Sequence, residues 1–146
     1  MAKVEIRRLI IEDYEAMINV WKLAGLPHRP KGRDSRENTA KHMDVHPDFY
    51  LGAFLGKKLI GVTIASYDDR MKGWINRLAV DPTYQGQGVA EQLVRTAEEA
   101  LKKYGAKIFC ALIELPNDRS TRLFQRMGYS VHEDIVYVSK REGPDV

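Results

Sequence analysis

The chain has 146 residues, 44% hydrophobic and 29% charged, with a formal net charge of +3; that suits one domain over residues 1–146 and an anionic ligand, without pointing to nucleic acid. A single cysteine, Cys110, excludes an internal disulfide and fits a reducing compartment. No run approaches the roughly 20 apolar residues of a membrane span, and the first residues lack the apolar centre of a signal peptide, so a cytoplasmic protein with neither membrane nor nucleic-acid partner is expected.

Residues 4–9 alternate between apolar and charged and predict a short strand. Over residues 10–24 the period changes: Ile11, Tyr14, Ile18 and Trp21 fall at helical spacing, acids cluster at the start, and Gly25 supplies a stop. Residues 26–34 (LPHRPKGRD) cannot hold regular structure, and a loop of this length in a small domain is more often functional than idle. A second helix is expected over residues 35–46, with Ser35 or Asp34 as its cap and Pro47 as its end. Residues 49–55 and 58–66 read as a hairpin around Gly56-Lys57. A polar loop follows, then a strand over 74–80 and a helix over 88–103 with Val89, Leu93, Ala97 and Leu101 on one stripe. The near-continuous apolar run 106–115 predicts a central strand buried on both faces. A short helix over 119–127, a stop at Gly128 and an alternating last strand over 129–139 complete the chain.

The informative stretch runs from residue 75 to 101. An apolar strand passes through the turn Asp81-Pro82 into a glycine-bearing loop that opens directly into a helix. Loop N–H groups and the unpaired first N–H groups of the helix can converge on one anion, and the helix dipole favours it. Gly86, Gly88 and Ala90 are small where a backbone must approach phosphate oxygens. The third glycine and the downstream acid of a dinucleotide fingerprint are missing.

These residues resemble the GCN5-related N-acetyltransferase (GNAT) family. Gln85-Gly86-Gln87-Gly88-Val89-Ala90, after a strand ending Leu78-Ala79-Val80-Asp81-Pro82, is similar to the family's Q/R-x-x-G-x-G/A pyrophosphate loop. Asn117, followed by Leu123-Phe124-Gln125-Arg126-Met127-Gly128-Tyr129, is similar to its Asn-initiated helix, and the order of elements matches over about residues 4–139. The resemblance implies an α/β (α+β) fold: a mixed, mostly antiparallel sheet of six to seven strands, helices on both faces, and two parallel strands splayed apart. It implies acetyl-CoA as cosubstrate. The backbone of Leu78, Ala79 and Val80 would pair with the pantetheine arm, residues Gln85 to Ala90 would hold the pyrophosphate, and Asn117, Phe124 and Arg126 would lie along the same ligand. The implied reaction is direct acetyl transfer to a primary amine on a small molecule or peptide; a homodimer is left open.

Two positions depart from the family pattern. Phe124 stands where many relatives carry a tyrosine acid, and a phenyl ring has no proton to donate. Leu112 stands where some carry a glutamate base. Glu114, two residues along the same strand face, is the replacement candidate, although a salt bridge to Arg77 or Arg122 is the plainer explanation of a carboxylate in an apolar strand. Tyr129 is a candidate acid, with core packing as the alternative. The same departures leave open a non-catalytic acetyl-CoA-binding or sensor module. His42 and His46 lie four apart on a helix but have no third ligand in view, so no metal is assigned. His28, Arg29, Lys31 and Arg33 suit an acidic acceptor group, the 3′-phosphate of CoA, or plain solvent.

Overall fold

Turn and cap residues set the ends of the elements. Gly56, at φ +61, folds β2 (Tyr50–Leu55) back on β3 (Lys58–Tyr67). Gly25 and Gly105, at φ +78 and +110, close α1 (Tyr14–Ala24) and α3 (Val89–Tyr104). The Ser35 hydroxyl accepts the Asn38 N–H at 3.1 Å and caps α2 (Arg36–Val45). In the computed structural model, which describes residues 3–146, these elements join β1 (Val4–Arg8), β4 (Lys72–Val80), β5 (Ile108–Cys110) and α4 (Asp118–Arg126). The sheet order is β1-β2-β3-β4-β5; the first four strands are antiparallel, and β5 runs parallel to β4.

Helices cover both faces, as the two hydrophobic clusters show. On one face Val89, Leu93, Ala97 and Leu101 of α3 pack with Ala53, Ile60 and Ile75, joined by Leu123 and Phe124 of α4. On the other, Met17, Ile18 and Trp21 of α1 and Met43 of α2 pack over Leu59, Val62 and Ala79. Burial of both sheet faces is the main source of stability.

Three expectations are corrected. Among the described residues the sheet has five strands rather than six or seven. The run 106–115 is not a central strand: only Ile108–Cys110 pair, and Leu112 and Leu115 are 58% and 77% exposed. Residues 129–139 alternate as a strand does but form none, and Ile135, Val136, Tyr137 and Val138 are all exposed. The cause is common to the last two. A strand exists only against a partner edge, and β5 leaves the sheet after Cys110.

His42 on α2 contacts Tyr50 through a 2.8 Å hydrogen bond between ring Nδ1 and the phenol oxygen. Burial lowers the His42 pKa, and nearby His46 adds to this. A group whose folded pKa is depressed gives stability that is present above its unfolded pKa and lost as pH falls. The denaturation midpoint is therefore expected to fall as pH drops below about 6.5, and His42→Gln is expected to flatten that acid limb; an unchanged limb in the variant would assign the loss to other groups.

Candidate active site

β4 and β5 pair only at Lys72–Ile108, Gly73–Phe109 and Trp74–Cys110. Beyond Trp74 the β5 side of β4 has no strand partner, while the chain from Ala111 onward diverges. The result is a wedge with a free backbone edge from Ile75 to Val80, able to accept an extended ligand as an added strand. Against β3 the register slips: Val62 faces Ala79, but Ile64 faces Asn76. Two residues of β4, Arg77 and Leu78, thus oppose one of β3, Thr63, a β-bulge in which Arg77 takes φ +55. Thr63 Oγ1 donates to the Asn76 carbonyl at 2.9 Å and holds the bulge.

Below the bulge, a cleft of about 720 Å³ is lined by Leu78, Ala79, Val80, Gln85, Gly86, Gly88, Val89, Ala90, Asn117 and Arg126, all anticipated from the sequence. Gly86 and Gly88 take φ +78 and +82, and a Cβ built on either meets no protein atom within 4 Å. The loop is therefore left-handed and bare where it opens into α3, whose first N–H groups are unpaired within the helix. Gln87 lines neither this cleft nor the cavity above it.

Several side chains of the cleft escaped the sequence reading. Arg119 and Arg122 join Arg126 in its wall; at spacings of three and four they share one face of α4, and that spacing was the signal available. Against these three cations stands Glu91, itself paired with Arg95 at 2.7 Å, so the cleft favours an anion. Asn117 caps α4, its Oδ1 accepting the Ser120 N–H at 3.2 Å. The cap occupies the carbonyl side of that amide and leaves its NH₂ group as the donor.

A second cavity, of about 530 Å³, opens on the other side of the wedge. Its walls are residues 24–27 from the end of α1, Ile75, Arg77 and Leu78 of β4, residues 111–117, and Ser120 and Phe124 of α4. Glu114 is the one carboxylate in this wall and Arg77 the one cation. Glu114 is exposed rather than embedded in a buried strand, and neither Arg77 nor Arg122 is within ion-pair distance of it. Leu112 also lines the cavity, exposed, while Ala111 and Ile113 turn towards the core.

Tyr129 is placed elsewhere. Its hydroxyl donates to Glu98 Oε2 at 2.6 Å, its ring packs edge-on against Phe124 at 4.9 Å, and it lines neither cavity. Burial raises its pKa, and the Glu98 hydrogen bond raises it further. The ring serves packing, and its proton is committed to Glu98. Among loop residues 26–34, only Leu26 and Pro27 reach the cavities; His28, Arg29, Lys31 and Arg33 do not. The loop is pinned all the same. Tyr14 Oη donates to the Asp34 carbonyl at 2.5 Å, and the Arg29 N–H donates to Asp34 Oδ2 at 2.6 Å. Among the described residues no group of three or more His, Cys, Asp and Glu is placed to hold a metal ion, and no helix is long and apolar enough to cross a membrane.

Residues 5–129 match the acetyltransferase (GNAT) family. A Sodalis glossinidius protein named as an acetyltransferase is 25% identical over 138 residues, covering 94% of this chain and 95% of its own. The PaiA N-acetyltransferase of Thermoplasma acidophilum, solved in complex with coenzyme A, is 25% identical with a TM-score of 0.75, over 89% of this chain and 91% of its own. AAC(6′)-Iy in complex with a bisubstrate analogue superposes with a TM-score of 0.79 at 19% identity, over 96% and 99% of the two chains, a likeness of fold.

Proposed function

The chain belongs to the GNAT family of acetyltransferases, and from that premise we propose that it passes the acetyl group of acetyl-CoA directly to a primary amine seated in the second cavity. One observation carries the reading: the two cavities meet, with Ala24, Leu26, Leu78, Asn117 and Ser120 lining both. A cosubstrate in one and an acceptor in the other would touch at the wedge, without an intermediate on the protein.

Acetyl-CoA is the family's cosubstrate, and the residues present fit it. The bare Gly86–Gly88 loop, the start of α3 and the three arginines of α4 suit its phosphates. The free edge of β4 suits the amide-bearing pantetheine arm. When bound it supplies an activated acetyl thioester. The protein's own task is then to position the amine, take up its proton and stabilise charge on the departing sulfur.

Glu114 is assigned as the proton acceptor, because no other carboxylate lines the acceptor cavity. Phe124 reaches the same cavity but offers only packing. Ser120, one turn earlier on α4 and at the junction of both cavities, carries the hydroxyl assigned as donor to the sulfur. Ser120→Ala is expected to lower kcat by about ten- to a hundredfold, the worth of one hydrogen bond to a charged group, with little change in KM for acetyl-CoA; an unchanged kcat would remove Ser120 from this role.

Thiol release from acetyl-CoA, measured over small amines, amino acids and short peptides, tests the whole reading. Amine-dependent release above background is expected. Tight acetyl-CoA binding without release on any amine would favour a non-catalytic binding module, and absence of binding would overturn the assigned cleft.

A further inference from the structure

Two side-chain donors among the described residues are fully buried with no hydrogen-bond partner, Trp21 Nε1 and Arg77 Nε. They belong to one contact: Arg77 Cζ lies 4.3 Å from the centroid of the Trp21 ring. Buried N–H donors are nearly always paired, so two adjacent orphans call for a specific explanation. Arg77 belongs to the wall of the acceptor cavity, with Trp21 stacked against it; since both Nε atoms are closed off, the Nη groups are what the guanidinium offers to the cavity.

The surroundings of Arg77 sharpen the point. Its guanidinium donates to one protein acceptor, the Pro27 carbonyl. No carboxylate of the described residues comes within 4.0 Å of it. Burial disfavours its charge; Asp34 opposes that effect, whereas Arg33 and Arg29 add to it. Asp34 is nevertheless engaged elsewhere, accepting the Arg29 N–H. A half-buried guanidinium without an ion pair is costly, and here it also sits on a strained left-handed backbone at the bulge. Both costs are borne at a cavity wall where Glu114, Asn117 and Ser120 carry the other polar side chains.

We propose that the acceptor is a small amine that also carries a carboxylate, with Arg77 receiving the carboxylate and Glu114, on the other side of the wedge, receiving the ammonium. A planar guanidinium with free N–H groups matches a carboxylate in charge and geometry. Arg77 and Glu114 are not paired with each other, so opposite charges bracket the cavity, and a zwitterion complements both. A volume of about 530 Å³ fits an acceptor of small-molecule size. A polycationic amine would instead meet Arg77 as a like charge. This assignment rests on the acyl-transfer reading above.

The test compares matched pairs, amino acids against their carboxamides, with the amine and carboxylate at α, β and γ spacings. The wild-type protein is expected to favour the carboxylate member of at least one pair by about tenfold or more in kcat/KM, the worth of a charge-assisted hydrogen bond. Arg77→Met should bring that ratio close to one by raising KM for the carboxylate far more than for the carboxamide, while KM for acetyl-CoA holds. Arg77→Lys should keep part of the preference. An arginine that only pins Pro27 would lower both members equally and leave the ratio intact, which would overturn the proposal. Turnover with no preference, or a preference for the carboxamide, in the wild-type protein would overturn it and leave acyl transfer standing. Acetyl-CoA binding with no turnover of any amine would overturn both. Should Arg77→Met not fold, the wild-type ratio and Arg77→Lys decide.

Discussion

Glu114→Gln is expected to lower kcat by about a hundredfold or more while acetyl-CoA binds as before, the usual effect of removing a positioned base. An amine dissolved near neutral pH arrives protonated and must lose that proton before it can attack. The acceptor cavity offers one carboxylate for this, Glu114. Glutamine keeps the size and most hydrogen-bonding capacity but cannot take the proton, so the rate should fall across the whole pH range. The readout is the pH dependence of kcat at saturating acetyl-CoA. An unchanged rate and profile would place proton removal on water, with positioning supplying the acceleration.

Gly88→Val should weaken acetyl-CoA binding by tenfold or more and also cost the fold about 1–2 kcal/mol. The two effects have separate origins. Gly88 holds φ +82, a conformation that a β-branched residue adopts only with strain. No protein atom opposes a Cβ there, so the side chain projects from a loop that lines the cleft and competes with phosphate for the helix N-terminus. Calorimetric titration of acetyl-CoA reads the first effect and thermal unfolding the second. Unchanged affinity would remove this loop from the phosphate site, whatever happened to stability.

Local signals carried much of this site. The turn glycines, the Ser35 cap, the α3 stripe and the Gln85–Ala90 loop are each read from neighbours in sequence, and the structure keeps them. What failed depended on partners distant in the chain. The apolar run 106–115 has the composition of a central strand, but the sheet opens at Trp74–Cys110, and the residues beyond become cavity wall. Residues 129–139 have the alternation of a strand and no edge to join. Glu114 was singled out as a charge in a buried strand; it lies at the cavity for a different reason, because that strand ends early. Arg77 was seen only as a possible partner for Glu114. Its bulge, its stacking on Trp21 and its orphaned Nε arise from the register of β3 against β4 and from the return of α1 over the sheet, which no local pattern encodes.

The central claim is that cosubstrate and acceptor occupy adjoining cavities at once and react directly. Initial rates measured with acetyl-CoA and an accepted amine both varied test it most directly. Direct transfer within a ternary complex predicts double-reciprocal lines that intersect, with no thiol released until the amine is added. Parallel lines, together with a burst of thiol from acetyl-CoA alone, would mean that the acetyl group first rests on the protein and would contradict the account.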